Sequence, residues 1–218
     1  MTNNFDLYKE YITLGFETSP LPKGDTYFVI ELMRRGKDNP DMPAANYHFK
    51  NYYIRKPEDL DKYKQEIIDL CSIFRMRAYA SVNYKSFKQV TLNTMVELSR
   101  RVANNDFKKN YNVYESCSGS YCNPKNRRYV IDLDDCELND DTVKYCIEVL
   151  NNVKPYNTEK VIVQLPTRSG VHLVTRAFDI ETFKDIYNYK QEFSILDKPY
   201  YQCPDIKKNH LTLLYENL

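Results

Sequence analysis

What the chain lacks narrows the field first. No run of apolar residues is long enough to span a bilayer. The first residues, MTNNFDLYKEY, have neither the charged start nor the apolar stretch of a signal peptide, so a cytoplasmic protein is expected. Net charge is only +1, from 31 Lys and Arg against 30 Asp and Glu, which excludes a globally basic nucleic-acid binder. A local basic groove stays open, because Arg34-Arg35-Gly36-Lys37, Arg75 with Arg77, Arg100-Arg101, Lys108-Lys109 and Lys125 with Arg127-Arg128 form clusters; solvated surface is the plainer reading of each. Among six cysteines only Cys117 and Cys122 are close, and no second compact pair follows them, so a zinc knuckle would need distant partners. Tryptophan is absent, glycines number five and histidines three, while tyrosines number twenty. An abundance of Lys, Asn and Tyr has a non-functional explanation in an AT-rich genome.

What is there suits one large domain or two lobes: 218 residues, 42% hydrophobic and 28% charged. No internal repeat or long linker is visible. Residues 1–50 read as polar and turn-rich, with one apolar stretch at Tyr27–Leu32. Pro57 opens a helix whose inner face is Leu60, Tyr63, Ile67, Leu70, Cys71 and Phe74. Arg77–Asn83 alternates like a strand. A helix over Phe87–Ala103 follows, with Val90, Met95, Leu98 and Val102 as expected core. The second half then reads strand (Arg128–Leu133), helix (capped at Asn139 or Asp140), strand (Lys160–Leu165), strand (Val171–Thr175), helix (Ile180–Lys190) and a closing apolar run, Leu211–Tyr215. That order, β-α-β-β-α-β, is the ferredoxin-like or RRM-like plan. The expected fold is α+β: an N-terminal α/β lobe over about residues 1–110, an RRM-like lobe over 111–218, and a cleft between them.

Two patterns in this half carry chemistry. In Arg127-Arg-Tyr-Val-Ile-Asp-Leu-Asp-Asp135 a hydrophobic strand ends in acids, and Asp132 and Asp134, two apart, point to one sheet face. Close carboxylates repel unless a cation sits between them, and Mg²⁺ or Mn²⁺ prefers such oxygen ligands. A turn with ordinary capping acids is the rival reading. In Thr167-Arg-Ser-Gly-Val-His172, Gly170 lets backbone approach a ligand or take a positive φ, Ser169 offers a hydroxyl, and Arg168 adds charge. A hairpin turn with a satisfied histidine is the rival there. In the split plan the strands bearing Asp134 and His172 run antiparallel, so their acids and histidine converge.

VIDLDD followed by RSGVHL resembles motifs one and two of the archaeo-eukaryotic primase superfamily, whose catalytic half is RRM-like. The resemblance covers roughly residues 70–218. It implies that Asp132 and Asp134 are catalytic metal ligands, and that Ser169, Gly170, His172 and Arg168 bind the nucleotide's phosphates. A third acid is expected at Asp205, with Asp197 as rival, and Asn209 beside it on phosphate or sugar. Arg77, Lys207 and Lys208 are candidate template or nucleotide contacts.

The activity so implied is template-dependent nucleotidyl transfer, by a primase or primase–polymerase. It would use Mg²⁺ or Mn²⁺, nucleoside triphosphates and a single-stranded DNA template, with a helicase on a separate chain and no membrane partner. Two other readings stand beside it. A metal-dependent nuclease or phosphodiesterase would use the same acids, although no Glu-x-Lys constellation follows them. A non-catalytic RRM-like nucleic-acid-binding protein would show aromatics on its central strands, where this strand ends in acids.

Overall fold

The computed structural model describes residues 1–40, 46–121, 126–192 and 203–217. The chain is α+β, with two antiparallel sheets and six helices among the described residues. The first half contains β1 (Thr2–Asn3), α1 (Phe5–Glu17), β2 (Thr26–Arg35), β3 (Asn46–Ile54), α2 (Pro57–Phe74), β4 (Arg77–Ser81), β5 (Lys85–Ser86) and α3 (Phe87–Ala103). After it come α4 (Val113–Ser120), β6 (Arg128–Asp134), α5 (Asp141–Asn151), β7 (Val161–Pro166), β8 (Gly170–Arg176), α6 (Ile180–Glu192), β9 (Asp205–Lys208) and β10 (Leu211–Glu216).

The first sheet has the order β1-β10-β4-β2-β3, with β5 pairing β2. Its inner face carries Phe28, Ile30, Leu32, Ala78, Ala80 and Leu214, packed with residues of α1 and α2. Helix α1 falls in the region read as turn-rich. Phe5, Tyr8, Tyr11 and Ile12 recur at helical spacing and are all buried, so the aromatic residues hold this helix on the sheet. Helix α2 has Pro57 in its first turn, where a missing N–H costs little, and the Asp59 carboxylate accepts from the backbone N–H of Arg55 and Lys56.

Helix α3 corrects the expected core. Val90 is buried, but Met95 and Val102 are exposed. Ser86 caps the helix by accepting from the Gln89 N–H, and Phe87 stacks on Tyr27 with ring centroids 4.0 Å apart. The first turn reaches the sheet, where Tyr27, Val29 and Val90 form a small cluster. Helical spacing marks an apolar stripe, but it does not say how much of the stripe a neighbour covers.

The second sheet has the order β7-β8-β6-β9. One face, with Tyr129, Ile131, Leu133, Val171 and Leu173, packs against Val143, Cys146, Val149 and Leu150 of α5 and against Phe183 and Tyr187 of α6. The other face, with Val130, Leu165 and Val174, joins the core of the first sheet. The sequence order placed Leu211–Tyr215 last in this sheet. The structure gives that place to β9, and β10 returns to the first sheet between β1 and β4. Among the described residues no helix is long and apolar enough to cross a membrane.

Candidate active site

The alternation of β6 decides where its acids go. Odd-numbered residues face the helices, so Val130, Asp132 and Asp134 face the first sheet. Directly across from Asp132 stand His172 on β8 and Asp205 on β9. Three neighbouring strands therefore set an acid, a histidine and an acid side by side on one face. Asp134 lies opposite Gly170 and is exposed at the strand's end.

Asp132 is the centre of the group. His172 Nε2 lies 3.0 Å from its Oδ1, and Lys207 Nζ lies 2.5 Å from its Oδ2. His172 Nδ1 is 2.9 Å from the Thr212 hydroxyl. A neutral imidazole that donates from Nε2 accepts from Thr212 at Nδ1, and an imidazolium donates to both; either bond holds the ring in place. The hydrogen bond from His172, reinforced by Lys207, holds the Asp132 carboxyl well below the usual carboxylate range against the opposing effect of burial. Burial works against the charge on Lys207, but its bond to Asp132 and the nearby Asp205 and Asp134 carboxylates outweigh this and raise it.

Lys207 also lies 3.7 Å from Asp205 Oδ2. Asp205 is open to solvent, with its side chain 73% exposed, whereas Asp132 is 18% exposed. The donor set suits a hard divalent cation, since all three carboxylates offer oxygen, and an ammonium already stands between two of them. As the side chains are placed, no three His, Cys, Asp or Glu among the described residues converge on one metal position.

The turn between β7 and β8 differs from expectation in one respect. Gly170 does not take a positive φ. A Cβ there would sit 1.9 Å from the carbonyl oxygen of Leu133, so glycine is required for β8 to pass β6. The Asp135 N–H donates to the Ser169 carbonyl (2.6 Å), and the Thr167 N–H donates to the Gly170 carbonyl (2.8 Å). Ser169 and Arg168 are exposed beside Asp134, and Arg168 Nη1 lies 3.3 Å from Asp38 Oδ1.

Other expected contacts are redistributed. Arg77 is buried, and its guanidinium is engaged by Asp38 and Glu216, so it ties strands together rather than meeting a template. Lys208 is on the opposite side of β9 from Lys207, because neighbouring strand residues point apart. Asn209 forms the β9–β10 turn with φ 53°, and its side-chain amide donates to the Gly119 carbonyl. Arg100 and Arg101 both bind Glu97, which spends their charge locally. Cys117 packs beside Tyr27 and Val29, whereas Cys122, Lys125 and Asp197 lie outside the described residues.

Sequence reasoning missed Thr212 and His210. Thr212 sits within an apolar run, and nothing local marks its hydroxyl as a partner for a histidine forty residues away. His210 lines a cavity of about 220 Å³ shared with Glu31, Asn51, Ser81, Lys85, Glu115 and Asn209. Burial lowers the pKa of the His210 imidazole, helped by Lys207 and His172 and opposed by Asp132 and Asp205. Comparisons with protein-family models, curated proteins and solved structures return no match for the chain.

Proposed function

We propose that the chain is a template-dependent nucleotidyltransferase, a primase or primase–polymerase, acting on nucleoside triphosphates over a single-stranded DNA template. The alignment of Asp132, His172 and Asp205 across three neighbouring strands, on the face turned toward the first sheet, carries the reading. The β-α-β-β-α-β order with strands arranged β7-β8-β6-β9 supports an RRM-like lobe, the scaffold of the primase superfamily that the sequence resembles.

Asp132, Asp134 and Asp205 would hold Mg²⁺ or Mn²⁺. Bound there, such an ion would supply Lewis acidity for attack of a 3′-hydroxyl on an α-phosphate, with the α–β phosphoanhydride bond breaking and pyrophosphate leaving. His172 orients Asp132 through Nε2 and is itself oriented by Thr212, so its role is positioning a carboxylate rather than gripping phosphate. Ser169 and Arg168, exposed beside Asp134, are the groups available to an anionic tail. The cavity reaching from His210 to Glu31 offers polar space for the nucleoside. A helicase on a separate chain would supply unwound template.

The test is synthesis on single-stranded template with labelled triphosphates and Mn²⁺ or Mg²⁺, with and without primer, beside an Asp132→Ala/Asp134→Ala control. Product lost in the control supports a polymerase, and product without primer makes it a primase. Cleavage of labelled DNA that needs the same acids, with no synthesis, would assign the site to a nuclease or phosphodiesterase instead. DNA binding that survives the double substitution, with neither synthesis nor cleavage, would make the chain a binding module.

A further inference from the structure

Lys207 stands between two carboxylates of the acid group. Its ammonium is 2.5 Å from Asp132 Oδ2 and 3.7 Å from Asp205 Oδ2, and the Asp134 carboxylate also acts on it. We infer that Lys207 is a resident counter-cation that occupies the gap between Asp132 and Asp205 and must leave for a metal ion to bind. This rests on the metal-dependent reading above.

The surroundings fit a part that moves against parts that stay. Asp132 is anchored on its other oxygen by His172, which Thr212 holds in turn. Lys207 is on the short strand β9, and its charge is carried on a flexible four-carbon stem. Asp205, its second partner, opens to solvent and gives both the incoming ion and the departing ammonium a way through. With Lys207 in place the acids face each other across a positive charge, so the metal-free site avoids carboxylate repulsion. Lys207 and the metal then compete for the same oxygens. Removing the lysine has effects of opposite sign on two measurements: it destabilises the metal-free protein and tightens metal binding. Damage to the site in general would weaken both.

The experiment uses the full chain, with Mn²⁺ binding followed by electron paramagnetic resonance and metal-free stability followed by thermal melting in EDTA. Wild type is compared with Lys207→Met, Lys207→Gln and Asp132→Asn. The expected result is Mn²⁺ affinity tighter on the order of tenfold or more in both lysine variants, from loss of one competing charge in contact with the ligand oxygens. Their metal-free melting temperature falls, and Asp132→Asn binds Mn²⁺ poorly. Unchanged or weaker Mn²⁺ binding in the folded lysine variants overturns the inference and leaves the metal-dependent reading standing. No Mn²⁺ binding by wild type or lysine variants overturns both.

Discussion

Replacing Arg77 with methionine is expected to unfold the protein far more readily while leaving its surface unchanged. Arg77 Nε and Nη2 bind the two oxygens of Asp38 at 2.8 and 2.7 Å, and Nε lies 3.2 Å from Glu216 Oε2. All three side chains are buried. Arg77 is the first residue of β4, Glu216 is its register partner on β10, and Asp38 follows β2, so one guanidinium joins three segments of the first sheet. Methionine fills the stem's volume but strips the buried Glu216 carboxylate of its cation and leaves the buried Asp38 only the 3.3 Å contact from the exposed Arg168. Losing one partner of a buried ion pair costs about 3–5 kcal/mol. With a urea slope of about 2–3 kcal/mol per molar, the midpoint falls by about 1–2 M. Urea titration followed by far-ultraviolet circular dichroism measures it. The same reasoning requires rescue. Arg77→Met/Asp38→Asn/Glu216→Gln removes the stranded charges and recovers most of the loss, because neutral replacement of a buried ionic group is often nearly neutral. A loss under about 1 kcal/mol, or a triple variant weaker than the single one, would refute the reasoning. So would lost affinity for single-stranded DNA at unchanged stability, which would return Arg77 to the template.

Three further outcomes follow from the same structure. Gly170→Ala forces a methyl against the Leu133 carbonyl and should cost about 1–3 kcal/mol or more in urea titration, because the obstacle is backbone; an unchanged midpoint would mean that β8 shifts freely. Burial raises the Glu31 carboxyl above its ordinary value of 4.5, opposed by His48 and Lys85 and helped by Glu115. A raised carboxyl contributes stability below its unfolded pKa and loses it as pH climbs through the folded value. The melting temperature of Glu31→Gln should therefore match wild type near pH 4 and exceed it increasingly toward neutrality, and a constant offset would contradict this. Met95→Lys, on the exposed stretch of α3, should change stability by no more than about 0.5 kcal/mol; a larger loss in urea titration would show that a neighbour covers this face.

How much of this was legible in the chain differs by element. Helix α2 and strand β6 carry their own periodicity and end signals, and each forms close to where its pattern places it. Asp132 and Asp134 share a face because strand geometry allows nothing else. Helix α1 was also written locally, in Phe5, Tyr8, Tyr11 and Ile12, but tyrosine mixed with acids and lysines made the segment read as polar. The stretch Asp205-Ile-Lys-Lys208 carries no strand signal at all: it is four residues long and mostly charged, and it pairs because the edge of β6 offers open backbone groups. Leu211–Glu216 is clearly a strand, yet its alternation does not say which sheet takes it.

The sequence by itself determined most of the helices and strands and the alternation that puts the acids of β6 on one face. The tertiary structure alone decided that Lys207 lies between Asp132 and Asp205, that His172 turns to Asp132 under the hold of Thr212, and that Arg77 is spent inside the first sheet. The physical reason is that periodicity is a local property of the backbone, whereas a charge takes whichever partner the folded chain brings within reach.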